Sequence, residues 1–153
     1  MQAVSAPSRH PDDARGALPR TDDVDGLTVA DVMHADVSSM PSTVTVGELR
    51  DWFAVSASRR LAVIADDGRY AAALAPGDVD PGAPGERLAV DVARDRPTLA
   101  PGLPAADGRD LVLASDVRRI PVVDGERRFL GVLAVTSDLR HFACRPLPAD
   151  GRA

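Results

Sequence analysis

The chain states one pattern twice, and that repetition limits its fold more than any other property. The apolar run and turn from Leu61 to Leu74 return 59 positions later as Ile120 to Leu133. An arginine pair precedes each copy, Arg59-Arg60 and Arg118-Arg119, and an aspartate follows each, Asp78 and Asp138. A repeat of this period is one supersecondary unit that buries its apolar face only against a neighbour. A unit of about 55 residues has too little interior to be robust alone. The 153 residues therefore predict one domain in which two units share a core.

Local patterns fill in each unit. Thr28 caps a short helical turn at 29–33, and Val37 to Met40 is a short extended stretch. Leu49, Trp52, Phe53 and Ser56 recur at helical spacing, which predicts a helix from Gly47 to Val55 with a buried Leu-Trp-Phe face. Leu61 to Ala65 and Tyr70 to Leu74 read as strands joined at Asp66-Asp67-Gly68, residues that tolerate tight turns. The second copy repeats this order. A turn at 88–93 and a short strand at Thr98 to Ala100 lead to a helix from Asp107 to Ser115. Leu111, Val112 and Ala114 face the core in that helix, and Gly108 weakens its start. Strands Ile120–Val123 and Phe129–Ala134 follow, then a last helix from Asp138 to Cys144 capped by Ser137. The expectation is an α+β fold of two β-α-β-β-α repeats related by a pseudo-two-fold. Residues 1–26 are an N-terminal tail, 27–80 the first repeat, 81–87 a Pro/Gly linker, 88–144 the second repeat and 145–153 a C-terminal tail.

Composition narrows the function classes. All 18 basic residues are arginine, with no lysine and no asparagine, which is the imprint of a GC-rich coding genome. Frequent Ala, Arg, Asp, Pro and Gly therefore carry little functional meaning here. A net charge of −5 without a basic run argues against nucleic-acid binding through phosphate neutralisation. The single cysteine, Cys144, excludes an intrachain disulfide and a cysteine-based zinc site. No apolar run approaches the roughly 20 residues that cross a bilayer, and residues 1–26 lack a signal-peptide core, so a cytoplasmic chain off the membrane is expected. No nucleophile–base set, phosphate-binding glycine loop or metal cluster stands out, which points away from an enzyme. His34 and His141 are isolated. Asp12-Asp13 and Asp22-Asp23 lie in the tail, without a rigid frame for acid–base work.

The stretch from Arg118-Arg119-Ile120-Pro121-Val122-Val123-Asp124 through Phe129-Leu130-Gly131-Val132-Leu133 to Asp138-Leu139 resembles the hallmark of cystathionine-β-synthase (CBS) domains. Val29-Ala30-Asp31-Val32-Met33 with Asp36-Val37 is similar to the usual entry of that family. Both copies in register, over about residues 27–144, resemble a tandem pair, or Bateman module, of the stand-alone bacterial type. The resemblance implies a regulatory, non-enzymatic protein. It also implies a homodimer, a regulated partner protein, and clefts between the repeats that take AMP, ADP, ATP or S-adenosylmethionine.

On that resemblance Asp78 and Asp138 stand where a carboxylate accepts hydrogen bonds from ribose hydroxyls. Each fits equally as the cap of a following helix, where negative charge is favoured. The family's phosphate-contacting hydroxyl, three residues before the aspartate, is replaced by Ala75 and Val135. An extra residue in the second copy lets Thr136 take its place. The return-strand glycine is kept as Gly131 and replaced by Ala72. Arg118 and Arg119, like Arg59 and Arg60, suit phosphate through their planar forks, or pair with acids such as Asp116, or are solvated. Val37 and Ser38, and the matching Pro97 and Thr98, lie where the family packs adenine, and they suit a core equally well. Two functions follow. One is a sensor with a usable cleft around Thr136 and Asp138. The other is a ligand-free dimerisation and interaction module.

Overall fold

The computed structural model describes residues 18–35 and 37–143. The tail residues 1–17, Asp36, Cys144 and the C-terminal tail lie outside the described residues. Among the described residues four helices and four strands follow the predicted order: α1 (Val29–Val32), α2 (Val46–Val55), β1 (Ala62–Asp66), β2 (Arg69–Leu74), α3 (Ala89–Val92), α4 (Ala105–Ala114), β3 (Arg119–Val123) and β4 (Phe129–Ala134). A single 3₁₀ turn, Pro76–Asp78, follows β2.

Side chains set these boundaries. Thr45 caps α2: its Oγ1 accepts from Glu48 N at 3.2 Å and Glu48 Oε1 accepts from Thr45 N at 2.9 Å, a capping box that satisfies otherwise orphaned N–H groups. The carboxylate of Asp31 likewise accepts from Thr28 N at the start of α1. β1 and β2 form one antiparallel hairpin, with Asp67 and Gly68 at positive φ in its turn. β3 and β4 form the other. The sheet in each half gains a single parallel bridge, Met40 to Ile64 in the first and Leu99 to Val122 in the second. These bridges correct the alignment of the copies. Ile64 matches Val122, and Ala62 matches Ile120 through their partners Leu74 and Leu133, so the first strands are offset by 58 rather than 59. Arg119 thus stands at the place of buried Leu61, which accounts for its own partial burial.

The repeats are contiguous in sequence and exchanged in space. Val29 and Val32 of α1 pack with Leu99, Ala105, Val112, Ile120, Val122 and Leu133 of the second repeat. Ala89 of α3 packs with Val46, Leu49, Ala62, Ile64 and Leu74 of the first. Matching backbone bonds secure both exchanges: Val29 N to Leu103 O and Ala105 N to Leu27 O, Val46 N to Arg87 O and Ala89 N to Val44 O, all 2.8–2.9 Å. A third layer lies between the hairpins, where Leu61, Val63, Tyr70 and Ala73 meet Val123, Val132 and Ala134. The shared core is therefore three layers, and the outer two each contain a helix from the other repeat.

Three expectations change. α4 buries Ala105, Gly108 and Val112, while Leu111 and Ala114 are exposed. The predicted start at Asp107 missed Ala105, and the buried stripe shifts with it. Gly108 is a packing residue, since a Cβ there would stand 2.7 Å from Val29 Cγ2 and 3.0 Å from Leu133 Cδ2. No helix follows Asp138 among the described residues. Thr136 to Arg140 form a turn and Phe142, fully buried, runs back beside Val135. Finally, order reaches further toward the N-terminus than Leu27. Phe142 N donates to Pro19 O, Thr21 N donates to Arg140 O, and Val24 enters the core beside Phe142. This N-terminal segment supplies the backbone partners that a closing helix would have supplied itself. No described helix is long and apolar enough to cross a membrane.

Candidate functional site

One closing aspartate follows each hairpin, neither lines a cavity among the described residues, and the surroundings of the two differ. Asp78 ends the 3₁₀ turn, and its Oδ2 accepts from Ala75 N at 2.8 Å, the cap that starts that turn. The same carboxylate receives Arg96 in a two-point fork, Nε to Oδ2 at 2.7 Å and Nη2 to Oδ1 at 2.9 Å. Arg94 Nε adds 3.1 Å to Oδ1. Arg96 forks again onto Asp116 at 3.0 and 3.1 Å, and Arg94 Nη2 reaches Asp116 at 3.3 Å. Two arginines and two aspartates thus form a neutral lattice joining the end of the first repeat, the 94–96 segment and the end of α4. The side chains of Asp78 and Arg96 are each only 6% exposed.

A carboxylate has about four acceptor positions, and three of those of Asp78 are taken by these hydrogen bonds, with the charge of Arg94 beside them. Burial pushes the Asp78 carboxyl up, but the fork from Arg96, the Ala75 amide and both arginine charges outweigh it and hold it below the usual range. Arg96 is held above its ordinary value by its bonds to Asp78 and Asp116. The acid that the sequence paired with Arg118 or Arg119, Asp116, is instead committed to Arg96 and Arg94. Pro97, Thr98 and Arg119 line the cleft beside this lattice, a cavity of about 490 Å³.

Asp138 is exposed. Its Oδ1 accepts from Thr136 Oγ1 and from Arg140 N, closing a tight local turn, and these bonds hold the carboxyl below its usual range. Its Oδ2 carries no bond among the described residues. Thr136 and Ser137 share a cavity of about 320 Å³ with Arg60 and Arg118. Arg118, at positive φ, donates from Nη1 to Ser115 O at 2.6 Å. Val37 and Arg119 line a neighbouring apolar cavity of about 380 Å³, together with Leu61, Val132 and Ala134. Arg119 donates to Val117 O at 3.3 Å and pairs with no carboxylate among the described residues. Burial, and then the charge of Arg60, push its guanidinium below the ordinary arginine value. Arg60, Arg118 and Arg119 therefore approach one another, and none forms an ion pair among the described residues; Asp116 lines the cavity of Arg60 and Arg118 but is bonded to Arg94 and Arg96. Ser38 is exposed and lines none of these three cavities.

The structure thus brings together Thr136 with Arg118, Val37 with Arg119, and Pro97 and Thr98 with Arg119. It engages Asp78 with Arg96 and Arg94. Arg94 and Arg96, which decide that outcome, were not singled out from sequence. Their signal was a charge reversal between the copies, since Arg96 matches Asp36. No group of three or more His, Cys, Asp or Glu side chains is placed to hold a metal among the described residues.

Residues 89–137 match the CBS domain family model. No curated protein matches the sequence. Among solved structures the chain is similar to CBSX2 of Arabidopsis thaliana in complex with AMP, at 18% identity and a TM-score of 0.59, covering 71% of this chain and 90% of that one. It is also similar to the CBS domains of a transcriptional regulator from Streptococcus pneumoniae, at 18% identity and a TM-score of 0.60, covering 72% and 94%. At these identities the likeness is one of fold.

Proposed function

We propose that this chain, which carries a CBS domain at residues 89–137 and folds as a CBS-domain pair, is a non-enzymatic regulatory module that takes one adenosine-containing ligand beside Asp138. The observation that carries this reading is the approach of Arg60, Arg118 and Arg119, none of which forms an ion pair among the described residues. Cations held close together, one of them partly buried, favour an anion between them. The Thr136 and Ser137 hydroxyls share a cavity with Arg60 and Arg118 and complete a phosphate-binding set. The apolar wall of Val37, Leu61 and Val132 offers a surface for a purine, and Asp138, beside Thr136 and Ser137, has an exposed Oδ2 with capacity for a ribose hydroxyl. The AMP complex of the Arabidopsis protein supports this ligand class. In the other cleft the carboxylate of Asp78 is engaged by Arg96, so the adenosine-containing ligand binds once per chain.

Calorimetric titration with AMP, ADP, ATP and S-adenosylmethionine tests this. At least one binds with a stoichiometry of one, Asp138→Ala and Arg118→Gln weaken it strongly, and Asp78→Ala weakens it less. No heat and no thermal stabilisation from any of the four at millimolar concentration sinks the nucleotide reading. The reverse order of the aspartate variants would move the site to the other cleft.

A second reading is a ligand-free interaction module, and one observation favours it. Each long helix presents an uncovered apolar side chain, Val55 at 70% and Leu111 at 51% exposure. In that reading the chain forms a homodimer or docks on the protein it regulates through these helices. Sedimentation with and without nucleotide separates the two: a dimer indifferent to nucleotide and weakened by Leu111→Ser supports the second.

A further inference from the structure

The two hairpins differ at one position, and a cavity results. On β4, Gly131 lets the chain at His34 lie directly on the strand. His34 N donates to Val132 O at 2.9 Å, Val132 N donates to His34 O at 3.0 Å, and an added Cβ at Gly131 would collide with the His34 carbonyl. On β2 the matching residue is Ala72. The segment that corresponds to His34, at Arg94, makes no bridge to β2. It stands off instead, leaving a cavity of about 580 Å³ between Tyr70–Ala72 and residues 93–98. The 94–98 segment separates this cavity from the cleft beside Asp78, since it lines both.

The polar groups here are unusual. Tyr70 is 8% exposed, lines the cavity, and its hydroxyl has no hydrogen-bond partner among the described residues. Buried polar groups without partners are rare in folded proteins, and each calls for an explanation. The Arg127 guanidinium lies over the Tyr70 ring at 5.5 Å and has no carboxylate partner among the described residues. The other charges that act on the phenol are Arg96, already neutralised by Asp78 and Asp116, and Asp95. The phenol O–H and the guanidinium are two donors with no carboxylate bonded to either among the described residues, and Asp95 is the acid that lines the same cavity. That combination suits an oxyanion, because hydrogen bonds to an ionised acceptor are the strong kind.

We infer that this cavity is a second ligand site, which takes a small molecule presenting a phosphate or carboxylate group to Arg127 and the Tyr70 hydroxyl. The volume suits a compact metabolite. The site is separate from the arginine group beside Thr136, and it stands or falls independently of the ligand proposed there.

Tyr70 is the only tyrosine in the chain, so its ring resonances report this cavity alone. The test records them in the full chain at neutral pH while adding inorganic pyrophosphate in one series and citrate in another. A saturable shift with either anion supports the site and identifies its chemistry. Equilibrium dialysis then measures that anion against three variants. Tyr70→Phe keeps the ring and its packing, and Arg127→Gln keeps the stem; each weakens binding about tenfold, the size expected for one charge-assisted bond. Arg118→Gln, in the other cavity, leaves the Tyr70 shift unchanged. The inference is overturned if neither anion moves the tyrosine resonances, if Arg118→Gln abolishes the shift, or if both cavity variants bind as tightly as the parent chain.

Discussion

Arg96 is the residue on which the asymmetry of the molecule turns. Its guanidinium makes four hydrogen bonds, two to each of Asp78 and Asp116, and so ties the first repeat to the second through a pair of forks that Arg94 brings to neutrality. Removing one partner of a buried pair leaves the other charge uncompensated. Arg96→Met is therefore expected to destabilise the fold by about 3 kcal/mol, and Asp78→Asn in the same chain recovers part of the loss; urea denaturation of the single and double variants measures both. The lattice also sets an acid limit. Asp78 and Asp116 are held below their unfolded values, so their contribution is fully present above the unfolded carboxylate value near about pH 4 and is lost as pH falls through the lower folded value. The urea midpoint of the native chain should fall with acid below about pH 4. In Asp78→Asn that fall becomes shallower, and an unchanged slope would remove Asp78 from the explanation. None of this was legible in a chain whose basic residues are all arginine. The charge reversal of Asp36 against Arg96 was visible, but only geometry shows that a side chain reaches back to Asp78.

At the scale of elements, the hairpins and caps were readable because their causes are local. Alternating apolar residues around Asp67-Gly68, and Thr45 three places before Glu48, need no distant partner to act. The segment after Asp138 was misread because its outcome depends on one. Leu139 and Phe142 have helical spacing, yet the Thr136–Asp138 turn and the backbone of Pro19 to Thr21 draw the chain into an extended path. Phe142 anchors that path, and Phe142→Ala should cost about 3–5 kcal/mol in chemical denaturation; a change below about 1 kcal/mol would mean that the segment contributes little. Gly108 in α4 offers a sharper test. By helix propensity Gly108→Ala gains up to about 1 kcal/mol. By packing it loses about 1–3 kcal/mol, because Val29 and Leu133 occupy the space. The structure predicts net destabilisation, while Gly77→Ala, with no atom within 4 Å of the new Cβ, is a near-neutral control.

For the whole molecule, the sequence predicted two units sharing one core, and the repeat alone was sufficient for that. It could not show which opening helix completes which unit, because α1 and α3 are too alike in apolar pattern for periodicity to assign them. The exchange predicts that neither repeat folds alone. A fragment of residues 18–87 lacks Ala89 of α3 in its core, and a fragment of residues 88–143 lacks Val29 and Val32 of α1. Each should give the narrow amide dispersion of an unfolded chain in proton–nitrogen spectra, and their equimolar mixture should recover dispersion; a dispersed spectrum from either fragment alone would contradict the exchange. The same exchange bears on synthesis. As the chain leaves the ribosome, α1 emerges with no surface to rest on until residues from Leu99 to Leu133 have followed it. The first hairpin likewise waits for Ala89. Folding of this pair is accordingly held back until both repeats have been made, and its most exposed moment is the interval between the first hairpin and the last strand.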